Sequence, residues 1–393
     1  MFSLARWYYN YQAPCVLMID DLSDALIEAY QESYKNDWGY LTDTQGSVWR
    51  FLEDELLSKF PEIKITFFVP YLRHGVISEV SPYKISKYAF GERPVYTQFL
   101  QKLVSLGHEI AHHGSNHGAY HDPHISNITH NWTHEWALFD SVEEGVKITQ
   151  EGVKRFATLG NIPVVGGKYC GYLAIANSHN IIDQCHFLYW CEDVNYLTKT
   201  YLPSFKGESH YLSFPTNFAG NSFVRLTYTT NDPSRDRKKA FLKFLQPLYS
   251  LKMVKELKYL YDHGHIISIQ EHISPSTTWG LVQSSNVVSD IVSLRKIFQF
   301  LSRRSIWYAT CATIARYCHI RDSSTLQWDE QSLTIHVRSP YASEQTLLTI
   351  ISDREITLQC DHALYPTYKK NGIHIVSVPV KEGENIFQIA KGV

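Results

Sequence analysis

His113 and His117 stand four residues apart in Gly107-His108-Glu109-Ile110-Ala111-His112-His113-Gly114-Ser115-Asn116-His117. Imidazoles at that spacing project the same way if the chain leaves a strand and turns into a helix. Asp20-Asp21 closes the apolar run Cys15-Val16-Leu17-Met18-Ile19 and offers a third, oxygen ligand with one carboxylate to spare. Two imidazoles and a carboxylate hold a divalent ion with positions left open, the arrangement that metal-assisted hydrolysis needs. Histidine spacing alone is weak in a chain with 19 His, and His112 competes with His113 if the register shifts by one. Asp20-Asp21 also reads as a helix cap followed by a first-turn acid, because Ala25–Tyr30 has a helical pattern. Neighbouring residues of a strand face opposite ways, so both aspartates can serve one site only where the strand ends and the chain bends.

Short β-like runs must position these groups. The candidates are Val16–Asp20, Ile63–Val69, Glu109–His112, Val164–Gly166, Phe187–Cys191, Tyr211–Pro215, His265–Gln270 and Ile306–Ala309. Helical periodicity separates them at Val48–Lys59, Val95–Leu106, Phe139–Leu159, Arg235–Asp262 and Asn286–Leu301. This alternation predicts an α/β fold, a parallel sheet with helices outside that closes as a (β/α)7-8 barrel or stays open as a doubly wound sheet. Site residues then belong at the C-terminal ends of the strands. No Gly-rich phosphate loop follows the first strand, which argues against dinucleotide binding.

Beyond residue 322 the helical pattern stops. Leu333–Val337, Leu347–Ile351, Ile356–Cys360, Ile373–Val380 and Ile386–Ile389 are short and β-branched, with turn residues such as Lys370-Asn371-Gly372 between them. They predict a small antiparallel β-sandwich over residues 323–393, following an enzyme-like domain over 1–322.

Composition narrows the function. With 44% hydrophobic and 19% charged residues and a net charge of −2, the chain is an ordinary globular protein with no nucleic-acid signature. The basic run Arg235-Asp236-Arg237-Lys238-Lys239 opens a helical pattern and reads as a solvated first turn. No apolar run reaches membrane-span length, and no secretory signal stands at the start, so a cytoplasmic location is expected. Seven irregularly spaced cysteines without a C-x-x-C fit reduced thiols. Aromatic residues make up 14%, and Trp132, Trp136, Trp190 and Tyr169 lie in or near the expected site loops, where rings could stack on sugars.

The order of these segments resembles the polysaccharide deacetylases of the NodB-homology type, carbohydrate esterase family 4. The resemblance rests on the strand ending in Asp20-Asp21, on Lys64-Ile65-Thr66-Phe67-Phe68-Val69, and on Gly107-His108-Glu109-Ile110 leading into H-x-x-x-H. Ile266-Ile267-Ser268-Ile269-Gln270-Glu271-His272 and Ser305-Ile306-Trp307-Tyr308-Ala309-Thr310 with Ile314-Ala315-Arg316-Tyr317 follow in the family's order. It spans about residues 13–320. The resemblance implies a distorted barrel that removes an N- or O-acetyl group from a sugar with a divalent metal, most often zinc. It implies Asp20 as general base, Asp21, His113 and His117 as metal ligands, and His272 as general acid. Lys168 is expected where the family has an arginine, within Gly167-Lys168-Tyr169-Cys170-Gly171-Tyr172, and Asp193 ends the counterpart of its aspartate–tryptophan motif. The family's Gly-Pro after the aspartates is replaced by Leu22-Ser23-Asp24, and Asp24 is a further candidate for the base. Lysine is a point charge and does not reproduce the arginine fork. The expected partner is an N-acetylated sugar or glycan precursor. A related deformylase or amidohydrolase and a non-catalytic glycan-binding protein are the alternatives.

Overall fold

The computed structural model describes residues 1–22, 48–71, 94–120, 132–193, 203–208, 210–223, 250–272, 286–342 and 346–390. The chain divides into two compact units. One comprises Cys15–Arg304 with Tyr308–Ala312, and the other Met1–Pro14, Ser305–Trp307 and Thr313–Val393.

The larger unit is mixed α/β and built on a large, mainly parallel sheet. Its strands run in the order Phe218–Ala219, Ile267–His272, Ala13–Asp20, Ile65–Val69, Glu109–His112, Gly166–Lys168, Tyr189–Asp193, Tyr211–Thr216 and Ser204–Lys206, the last of them antiparallel. Strands buried on both faces need apolar residues throughout rather than an alternation. Cys15 to Ile19 and Ile65 to Val69 meet that need, and all eight residues of Ala13–Asp20 are buried. The two strands at opposite ends of the parallel order, Tyr211–Thr216 and Phe218–Ala219, are consecutive in the chain with only Asn217 between them. Asn217 is buried; its backbone N–H donates to Ser268 Oγ at 3.1 Å and its Nδ2 to Ile266 O at 2.6 Å, so backbone and side chain of one residue together carry the hydrogen bonding across the bend.

Helices form where the period predicted them, and a side-chain cap sets the start of the longest described one. Val142–Gly160 starts three residues later than the expected Phe139 because Ser141 caps it, accepting from Glu144 N at 3.2 Å, while Glu144 reaches back to Asp140 N at 2.7 Å. Pro94–Ser105 and Ile291–Leu301 match the expected helices, the latter five residues shorter at its start. Of the helix expected at Arg235–Asp262 only 250–262 is described, and it is helical. A buried network ties the strands together on the other face: Glu109 accepts from Thr66 Oγ1 at 2.9 Å, Tyr189 OH at 2.8 Å and Ala312 N at 2.9 Å.

The smaller unit holds two antiparallel sheets. One runs Ser324–Trp328, Ser332–Val337, Gly383–Ala390, Thr357–Cys360, Ala363–Pro366, and the other Phe2–Leu4, Leu347–Ser352, Ile373–Pro379, Tyr368–Lys370. Asn371 and Gly372 both have positive φ, 52° and 83°, the two-residue hairpin loop that joins Lys370 to Ile373. The edge strand Phe2–Leu4 comes from the first residues of the chain, which sequence analysis assigned to the other domain.

Candidate metal centre

The strand Ala13–Asp20 ends at Asp20, and Asp21 has a φ of 68°. A left-handed aspartate costs about 1–3 kcal/mol. It is the bend that lets two neighbouring carboxylates face one site. Both are buried, at 2% and 1% exposure.

The histidines arrive by a route other than the expected one. His113 to His117 form a loop and not a helix. Gly114 has a φ of 76° and His117 of 70°. The loop is folded around Glu135, a buried carboxylate that accepts backbone N–H groups from Ser115 (2.8 Å), Asn116 (2.7 Å) and His117 (3.1 Å). Burial raises the Glu135 carboxyl above its ordinary range, and these hydrogen bonds oppose that shift. Glu135 itself is presented by the antiparallel strands Gly118–Tyr120 and Trp132–His134, with Glu135 N donating to His117 O at 3.2 Å. Sequence reasoning missed Glu135. Its one signal was being the only Glu between Glu109 and Glu143, and no fixed spacing links an acid to a loop twenty residues away.

The result is a compact set of donors. Asp21 Oδ1 lies 3.2 Å from His117 Nε2 and 3.5 Å from His113 Nε2. A tetrahedral ion with bonds of about 2.0–2.3 Å has ligand-to-ligand edges of about 3.3–3.8 Å, and both edges from Asp21 are close to that range. His113 Nδ1 lies 3.1 Å from the Lys168 carbonyl. If Nδ1 carries the proton, the lone pair of Nε2 faces the site, which is how a second partner orients a ligating imidazole. His113 Nε2 is buried and makes no hydrogen bond. Burial pulls the His113 imidazole below its usual pKa, Asp20 and Asp21 opposing, which favours the neutral form a metal requires.

His112, the rival ligand, faces the other way. It is fully buried among Tyr71, Trp136, Phe187 and Trp190, its Nδ1 accepts from Gly114 N at 3.1 Å, and burial together with His113 pushes it down to about 3. His134 stands edge-on to His117 with ring centroids 5.3 Å apart. His121, His124, His130 and Asp24 lie outside the described residues.

Asp20 is held separately. Lys168 Nζ contacts both of its oxygens, at 3.0 Å and 2.7 Å, and Lys168 is wholly buried. Burial opposes the lysine charge, but Asp20, Tyr172 and Cys191 outweigh it and hold the ammonium above its ordinary range. Gln270 Nε2 donates to Asp20 Oδ2 at 3.3 Å, and Gln270 Oε1 accepts from Tyr172 OH at 2.8 Å. His272 pairs in register with Asp20 on the neighbouring strand, its Nε2 3.8 Å from Asp20 Oδ2. Asp193 is exposed at the end of its strand, opposite Thr216, and does not share the buried environment of Asp20 and Lys168.

Two of the four aromatic residues expected near the site, Trp136 and Trp190, are core instead. Trp136 and Trp190 have no exposure, and with Tyr169 they pack ring against ring at 4.8–5.4 Å. Apolar area is worth more buried than presented to water, and these rings lie behind the site. The Trp132 side chain lies outside what is described.

No family model matches the chain, and no curated protein matches it. Solved structures similar to it include a protein of Mycobacterium smegmatis provisionally described as a polysaccharide deacetylase, at 14% identity and a TM-score of 0.47, covering 84% of this chain and 98% of that one. PuuE allantoinase is similar at 15% identity and a TM-score of 0.44, covering 81% and 93%. A protein of Pseudomonas aeruginosa PAO1 described as a probable polysaccharide deacetylase has 15% identity and a TM-score of 0.44, covering 81% and 94%. Likeness at these values carries no conclusion about activity, and the functional reading stands on the geometry above.

Proposed function

We propose that this chain is a metal-dependent hydrolase that removes an acetyl group from the nitrogen of an amino sugar or glycan precursor. The observation that carries the reading is the approach of both His117 Nε2 and His113 Nε2 to Asp21 Oδ1, at 3.2 Å and 3.5 Å, beside an independently held carboxylate, Asp20. When bound there, a divalent ion, zinc in this reading, makes a water acidic and polarises an amide carbonyl.

The chain's own residues do the rest. Asp20 accepts the proton of the attacking water. Lys168 and Gln270 fix the plane of its carboxylate by three contacts, so it meets the water without reorienting. His272, on the adjacent strand, protonates the departing nitrogen. Its Nε2 lies 3.8 Å from Asp20 Oδ2, which supports a role for both in one site. The scaffold in this reading is a distorted barrel, closed where the chain passes through Asn217, followed by a β-sandwich. All seven cysteines are free thiols, which supports a cytoplasmic precursor as substrate, and among the described residues no helix is long and apolar enough to cross a membrane.

Metal content by mass spectrometry tests the reading. About one ion per chain is expected in the wild type, lost in His113→Ala and in His117→Ala, with deacetylation of N-acetylated sugars abolished by chelator. A wild-type chain that takes up no metal after reconstitution would sink it. A panel of formyl and other acyl donors separates deacetylation from related hydrolyses.

A further inference from the structure

The histidine pair has a second neighbour that the aspartate triad does not use. Cys170 opens the turn Cys170–Tyr172, has no exposure, and donates its thiol to His113 O at 3.2 Å. Its Sγ and one ring nitrogen each from His113 and His117 all lie within 4.8 Å of one another. His113 and His117 therefore belong to two sets of three, one completed by the Asp21 carboxylate and one by the Cys170 sulfur. A buried thiol bonded to a carbonyl is ordinary; a buried thiol within ligand range of two imidazoles, one of which has a buried Nε2 without a hydrogen bond, is not.

The backbone makes room for it. A Cβ on Gly114 would stand 2.9 Å from Cys170 Sγ and 3.0 Å from Glu135 Oε2, and Gly114 also has positive φ. Glycine is required there on both counts. The same position lets the sulfur approach from one side and the carboxylate that shapes the histidine loop from the other.

We propose that Cys170 is a fourth metal ligand, so that the centre is Asp21-His113-His117-Cys170. The proposal rests on the metal reading above. On ligation the thiol gives its proton to solvent, gives up its bond to His113 O, and the thiolate donates an electron pair to the ion. With a divalent ion, the carboxylate and thiolate bring the centre to neutrality, where a carboxylate alone leaves one positive charge. Thiolate favours zinc and cobalt over magnesium and manganese.

X-ray absorption at the zinc edge, on the full chain loaded with one equivalent of zinc, tests this. One sulfur at about 2.3 Å beside nitrogen and oxygen at about 2.0–2.2 Å is expected. That sulfur should vanish in Cys170→Ser and in Cys170→Ala and persist in Cys185→Ser. Cobalt substitution should likewise give a thiolate-to-cobalt charge-transfer band in the wild type only. The wild-type spectra decide the presence of sulfur even if a Cys170 variant fails to fold. Bound zinc with only nitrogen and oxygen neighbours overturns the proposal and leaves the metal reading standing. A sulfur shell that survives both Cys170 variants overturns it too. A chain that binds no zinc removes both, and stoichiometry shows that case before any spectrum.

Discussion

The strand Ala13–Asp20 is buried at every residue, whereas Ser332–Val337 in the smaller unit alternates half-buried and buried, with Leu333, Ile335 and Val337 inward. On the second strand a polar side chain turns to water and needs nothing further. On the first, any polar group is committed to finding a partner inside the protein. Asp20 finds Lys168 and Gln270, Asp21 faces two histidines, and Glu271 on the adjoining strand is buried with neither carboxyl oxygen hydrogen-bonded. Charge buried against local preference marks where a fold is arranged for chemistry; a strand that obeys alternation marks where it is arranged for stability.

Substitutions sharpen or break that contrast. Asp20→Asn should cut turnover by about 100- to 10,000-fold while metal content stays at the wild-type level; retained turnover would take the base role from Asp20. Lys168→Met strands a buried carboxylate and should lower stability by about 3–5 kcal/mol in denaturant unfolding. The double variant with Asp20→Asn should recover much of that loss. Glu135→Gln removes the charge that gathers the loop's backbone N–H groups, and metal affinity should fall about 10- to 100-fold by competition titration, as when an outer partner of a metal ligand is lost. An unchanged affinity would show that the loop holds its shape without Glu135.

Glu271 gives the contrast a pH signature. Burial first and Asp290 second raise its carboxyl well above the ordinary range. The folded chain keeps this proton where the unfolded chain has released it, so stability should fall as pH rises above the usual glutamate value. Glu271→Gln should flatten that decline in urea melts from mildly acidic to mildly alkaline pH. An identical slope in the variant would assign the pH response to other groups. Smallest of all, Thr334→Ala, on the half-exposed face of Ser332–Val337, should stay within about 0.5 kcal/mol of wild type.

Much of the larger unit was legible because its strands are apolar runs of the right length. Glu109–His112 has the expected bounds, and the others shift by a few residues where sequence offers no sharp stop. The candidate ligands were legible too, because Asp, Asp, His and His sit at strand ends, where parallel sheets gather chemistry. What held them was not. Glu135 acts through hydrogen bonds to a backbone twenty residues away, and Cys170 enters through a turn 57 residues past His113. Neither leaves a spacing to read. The left-handed φ of Asp21 is likewise set by its surroundings and not by its own propensity. Trp136 and Trp190 misled for the opposite reason, since a ring in a site loop and a ring in the core look alike until burial is known.

The partners of Asp20 also set an order of events during synthesis. Lys168 follows it by 148 residues and Gln270 by 250. At about 5–20 residues per second, roughly 7–30 s pass before the lysine is made and about 13–50 s before the glutamine. Through that interval the strand Ala13–Asp20, buried at every residue in the folded chain, carries a carboxylate without its partners. The nascent N-terminal segment therefore cannot finish folding early, and the ribosome has to deliver nearly the whole larger unit before its first strand can settle.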